Sequence, residues 1–127
     1  KRQNGKLTLI LFDLDHFKKY NDTFGHLEGD RALKEVGKII LFSIREKVDS
    51  GCRYGGDEFA VILPSADIKH ASDVAGRIQR SVREKKMGNI DISTGIAEYD
   101  SESSMEDFIK AADDALYEAK KQEKRGD

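Results

Sequence analysis

The stretch RYGGDEF, residues 53–59, sets two glycines against two adjacent carboxylates, Asp57 and Glu58, inside a run that otherwise reads as strand. Neighbouring negative charges repel, so a hairpin gains nothing from them and something positive should sit there. A third carboxylate, Asp13, follows the apolar run from Leu7, and a hairpin on a neighbouring strand would bring Asp57 close to it. Hard oxygen donors of this kind suit Mg²⁺ or Mn²⁺, and magnesium takes one or two protein carboxylates together with substrate phosphate oxygens. Lys18 lies about one helical turn beyond Asp13 and supplies a cation where a bound phosphate would need one. Taken singly, each carboxylate could be a solvated turn former or a helix N-cap. Taken together they read as a phosphoryl or nucleotidyl transfer site.

These groups need rigid elements to hold them. LTLILFD, residues 7–13, is almost continuously apolar, as in a central strand covered on both faces and ending on Asp13. HFKKYNDTFGHLEGD then reads as a short helix broken at Gly25 and Gly29 before a second helix, in which Leu33, Val36, Ile40, Ile44 and Val48 recur at spacings of three and four. Cys52 to Tyr54 and Glu58 to Leu63 form two short strands across Gly55-Gly56, glycines that accept positive φ, and Pro64 closes the second. Ala71, Val74, Ala75, Ile78 and Val82 mark another helix, IDISTGIA a half-buried strand, and Met105, Phe108, Ile109, Ala112, Leu116 and Ala119 a last helix. The order β-α-α-β-β-α-β-α predicts an α+β layered domain.

Bulk composition narrows the partners. The 127 residues, 38% hydrophobic, fit one domain with one modest core. Lys and Arg number 22 against 24 Asp and Glu, a net charge of −2, so the field expected of a duplex DNA or anionic membrane binder is missing and any phosphate must be held locally. The sequence has neither a stretch apolar enough for a membrane span nor a signal-peptide pattern, which predicts a soluble, cytoplasmic domain without nucleic-acid or membrane contact, although a longer parent protein could be membrane-attached. The single cysteine, Cys52, reads as a small apolar filler on a strand.

FDLDHFKKYNDTFGHLEGDRAL, RYGGDEF, ISTGIA and ADDALYEAK, in that order, resemble the motifs of the GGDEF domain, the diguanylate cyclase family, from about Leu7 to Arg125. The resemblance implies a palm-like nucleotidyl cyclase fold with a mostly antiparallel sheet. It also implies condensation of two GTP molecules into cyclic di-GMP with release of pyrophosphate, in a facing homodimer controlled by a sensory or regulatory domain of a longer parent protein. Carried over, Asp13, Asp57 and the backbone carbonyl of Leu14 bind the metal, Asp57 resembles the family's proton acceptor for the ribose 3′-hydroxyl, and Glu58 supports the metals or that transfer. Lys18 stabilises phosphate charge, the amides of His16 and Phe17 cradle the phosphates, and Lys120 reaches the triphosphate. Asn21, His26 and Asp30 match the guanine-recognising positions, and a carboxylate suits guanine's paired N–H donors. Gly95 and Tyr117 read as structural.

The sequence also departs from the pattern. The family's upstream DxLTGLxNRR motif precedes the part matched here, which leaves a piece of the pocket wall outside these residues. The RxxD product-binding motif reads EKVD, with Glu46 for arginine and Asp49 retained, which predicts weak or absent product inhibition; Arg45, adjacent, is expected to point off another part of the helix. The tail carries Glu123 and Lys124 where glycine and arginine are usual. The alternatives to a cyclase are a catalytically silent GTP-binding regulatory module and a domain making another cyclic dinucleotide, the latter disfavoured by Asp30.

Overall fold

The computed structural model describes residues 6–126, with the side chains of residues 6–122; Glu123 and Lys124 therefore fall outside the described side chains. The elements follow the predicted order: β1 (Leu7–Asp15), α1 (Phe17–Phe24), α2 (His26–Ser43), β2 (Ser50–Arg53), β3 (Glu58–Pro64), α3 (Ile68–Lys85), β4 (Asp91–Glu98) and α4 (Met105–Gly126). The strands form one antiparallel sheet in the order β2-β3-β1-β4. The α+β expectation with a central β1 is met.

Strand parity divides the core. Ile10, Phe12 and Leu14 of β1 turn to one face, where they join Phe59, Val61 and Leu63 of β3 and the apolar stripes of α2 and α3. Leu9 and Leu11 turn to the other and pack with Phe108, Ala112 and Leu116 of α4. Both faces of β1 are thus covered, as its unbroken apolar run requires. Thr8, fully buried, satisfies its hydroxyl on the Ala66 carbonyl at 2.6 Å.

The structure corrects several local expectations. β1 runs on past Asp13 to Asp15. Gly25 breaks the chain at φ 93°, but Gly29 lies buried inside α2. α2 stops at Ser43 rather than continuing to Val48, which is exposed. Asp49 captures the turn instead: its carboxylate accepts the Arg45 backbone N–H at 2.7 Å and grips the Arg45 guanidinium, whose Nη2 also donates to the Pro64 carbonyl. Arg45 therefore folds back onto Asp49, contrary to the expectation that it points elsewhere on a helix. Cys52 is exposed rather than a core filler, and Tyr117 is exposed beside Lys121, outside the core.

Candidate functional site

The parity that buries Leu9 and Leu11 against α4 carries Asp13 and Asp15 onto the same face. Register then aligns a row across the sheet, because Asp13 pairs with Glu58 on β3 and with Ser93 on β4. Asp57 precedes β3 and is tied to β1 by the Leu14 N–H, which donates to its carbonyl at 3.1 Å. Carboxylate oxygens of Asp13, Asp57 and Glu58 consequently lie within 4.8 Å of one another, all half-buried. Three hard donors at that spacing fit a divalent cation of the magnesium type.

Neither hairpin glycine uses its freedom of φ, and only Gly55 makes space, since a Cβ on Gly56 would meet open space. Among the described glycines only Gly25 and Gly88 have positive φ, so the expectation for Gly55-Gly56 is not met. A Cβ on Gly55 would instead run into Oε1 of Glu58. The glycine makes room for the carboxylate.

α4 closes the site from above. Leu116 packs on the apolar part of the face, and one turn later Lys120 meets the acidic part: its Nζ lies 2.8 Å from Oδ1 of Asp15 and 3.4 Å from Oδ2 of Asp13. Burial alone would lower the Lys120 ammonium, but the hydrogen bond and charge of Asp15, with the charge of Asp13, outweigh it and hold it above its ordinary value. Asp13 moves the other way: burial, opposed by Lys120 and reinforced by Asp57 and Glu58, pushes its carboxyl up to about 6. Tyr54 reaches about 12 through burial and the neighbouring charges of Glu58, Asp113 and Asp13. The site is thus rich in negative charge that one ammonium only partly offsets.

The remaining candidates surround α1. His16 caps this helix in the left-handed region, at φ 67°, with no side-chain cap and no acidic residue in the first turn, so Phe17 opens a helix whose N-terminal amides suit an anion. Lys18 is exposed in that turn and makes no ion pair among the described residues. Asn21 packs against Gly29, where any Cβ would collide with its amide oxygen, and that Oδ1 is buried without a hydrogen-bond partner. His26 is the exposed first residue of α2, and Asp30 borders a groove of about 460 Å³ with Lys34, Arg53 and Phe59.

A family model described as "Diguanylate cyclase, GGDEF domain" matches residues 1–126. This chain belongs to the GGDEF domain family. The GGDEF domain described here is 42% identical over 121 residues to diguanylate cyclase A of Treponema denticola, covering 90% of this chain and 32% of that one. It is 37% identical over 123 residues to the response regulator PleD of Caulobacter vibrioides, covering 90% and 27%. Among solved structures it superimposes on the GGDEF domain of DgcB from Caulobacter crescentus, crystallised in complex with c-di-GMP, with a TM-score of 0.85 at 31% identity, covering 93% of this chain and 74% of that one. The active GGEEF domain of a diguanylate cyclase from Vibrio cholerae gives 0.85 at 28% identity, covering 93% and 78%. The palm-like fold is therefore that of GGDEF domains. The chain spans between a fifth and just over a third of the first three curated relatives. No helix among the described residues is long and apolar enough to cross a membrane.

In this GGDEF domain the structure brings together Asp13, Asp57, Glu58 and Lys120, while Asn21 lies on α1 and His26 and Asp30 lie on α2. One site residue escaped the sequence reading. Asp15 is buried, accepts from the Ser93 hydroxyl at 2.8 Å and holds Lys120. The available signal was its i+2 spacing from Asp13, which puts both on one strand face.

Proposed function

We propose that this domain is a diguanylate cyclase, condensing two GTP molecules into cyclic di-GMP with release of two pyrophosphates. The observation that carries the reading is the meeting of Asp13, Asp57 and Glu58 oxygens within 4.8 Å inside an intact GGDEF signature. Asp13, Asp57 and the Leu14 carbonyl would hold Mg²⁺ or Mn²⁺, which when bound neutralises phosphate charge and makes the α-phosphorus a better electrophile. Asp57, supported by Glu58, accepts the proton of the ribose 3′-hydroxyl as its oxygen bonds to the opposite α-phosphorus and the bond to pyrophosphate breaks. Lys18, Lys120 and the amides of His16 and Phe17 face the phosphates. Asn21, His26 and Asp30 take the guanine, the Asp30 carboxylate accepting from the base's paired N–H donors.

One domain holds one GTP, so catalysis needs two domains face to face, and proximity in that homodimer sets the rate. A regulatory or sensory region of a longer parent would control the encounter. The GGDEF-domain relatives include a diguanylate cyclase, SiaD, solved in complex with its activator SiaC, which supports control by a partner.

The test is incubation of concentrated domain with GTP and Mg²⁺ or Mn²⁺, products resolved by chromatography, beside an Asp57→Ala variant. Cyclic di-GMP made by the parent domain and absent with Asp57→Ala supports the reading. GTP bound but unconverted at concentrations that force dimers would favour the silent GTP-binding module.

A further inference from the structure

Lys120 stands between two carboxylates it does not treat equally. Its ammonium is 2.8 Å from Asp15 and 3.4 Å from Asp13, and the side chains are 30%, 3% and 20% exposed in the order Lys120, Asp15, Asp13. Asp15 is itself fixed, because the Ser93 hydroxyl lies 2.8 and 2.9 Å from its two oxygens. Asp13, by contrast, shares its space with Asp57 and Glu58. A lysine ammonium and a divalent cation near Asp13 contend for the same oxygens. An ammonium sitting squarely on Asp13 would exclude the cation, whereas one pinned to Asp15 leaves Asp13 available and still stands beside it.

The geometry points to Asp15 as a positioning residue: with Ser93 it draws Lys120 off Asp13, keeps that carboxylate open to the divalent cation, and holds the ammonium at the edge of the cluster. The inference rests on the metal-dependent reading of the Asp13, Asp57 and Glu58 cluster and adds to it a residue that touches neither cation nor nucleotide. Three features of the fold build the device. Parity sets Asp13 and Asp15 on one face of β1, register lays Ser93 beside them on β4, and the helical repeat carries α4 from Leu116 to Lys120 over that face. Removing the charge at position 15 while keeping its shape would let Lys120 settle on Asp13, a second-sphere change that acts on the cation through a first-sphere carboxylate.

The experiment is a double-mutant cycle read by direct Mn²⁺ binding without nucleotide, from the electron paramagnetic resonance signal of free Mn²⁺ over the purified domain. Asp15→Asn is expected to weaken Mn²⁺ binding about tenfold when Lys120 is present, and by about twofold or less in a Lys120→Met background, where only the long-range charge of Asp15 is lost. An equal effect in both backgrounds, or no effect of Asp15→Asn with Lys120 present, would overturn the proposal. Ser93→Ala, which loosens Asp15 without removing its charge, is expected to weaken binding about threefold, again only with Lys120 present, and serves if Asp15→Asn does not fold. Asp57→Ala separates the two ideas. Mn²⁺ binding that survives it sinks the metal reading and this inference together, while binding that it abolishes but Asp15→Asn leaves untouched sinks this inference alone.

Discussion

The Asp13 carboxyl is pushed up to about 6, first by burial and then by the charges of Asp57 and Glu58, against the pull of Lys120. If Asp13 holds the proposed divalent cation, a proton contends for the same oxygens, so cation binding should strengthen as pH rises through about 6 and level off above it. Mn²⁺ titrated at pH 5 is expected to bind about tenfold more weakly than at pH 7.5, with close to one proton released per ion at the lower pH and almost none at the higher. Calorimetry in buffers of different ionisation enthalpy reads that release directly; equal affinity at both pH values would show that Asp13 does not ligate the ion. At this scale the sequence was legible where chemistry shows in the residue type. Asp13, Asp57 and Glu58 stood out beside their glycines. Asp15 did not, because its importance comes from a lysine 105 positions away, and only the face that β1 turns to α4 connects them.

Elements hold the site to a tolerance set by close contacts. Gly95 on β4 faces α4, where an added Cβ would collide with the Ala112 carbonyl and the Leu116 backbone. Gly95→Ala must therefore push α4 off the sheet, and Lys120 moves with it. We expect a loss of roughly 1–3 kcal/mol in stability by urea unfolding and a larger fractional loss of cyclase turnover than of nucleotide binding; full turnover in this variant would show that the α4 position does not matter to the chemistry. The turn after α2 is the second such point. Asp49 has a fully buried carboxylate whose charge partner is Arg45, so Arg45→Ala leaves a buried charge held by the backbone N–H of residue 45 alone among the described residues and should cost about 2–4 kcal/mol. A change within 0.5 kcal/mol, by the same unfolding measurement, would show that the pair is dispensable. The helices and strands themselves were readable because their periods differ. The end of α2 was not: Ile44 and Val48 continue its spacing of four, and nothing local announces that Asp49 will draw Arg45 into a turn. Gly55 was read for the wrong reason, since conformational freedom and room for Glu58 leave the same letter in the sequence.

Across the whole molecule the acidic row lies near one end of a single sheet, with α4 on one face and α2 and α3 on the other. On the proposed reading, such a site offers one nucleotide to whatever approaches that end. If two domains must meet, the rate per domain at low concentration rises in proportion to domain concentration and flattens once dimers predominate. Initial rates over a dilution series check this, and a rate per domain independent of dilution would mean that one domain suffices or that dimers never part. The palm-like architecture followed from motif order, and one sheet carrying its cluster at the end of β1 followed from the apolar run before Asp13.

Cys52, exposed on β2, is the only thiol in the sequence and pairs in register with Ala60, two residues beyond Glu58. Adjacent strands lie about 4.8 Å apart, so the sulfur sits roughly 10–15 Å from the carboxylate cluster. The molecule thus carries a native attachment point for a nitroxide label, with no engineered cysteine and no competing thiol. Mn²⁺ bound among Asp13, Asp57 and Glu58 would broaden that label's spectrum, diamagnetic Mg²⁺ would restore it by displacement, and an unbroadened spectrum at saturating Mn²⁺ would place the ion elsewhere. An exposed side chain that contributes nothing to the core becomes a ruler for the site.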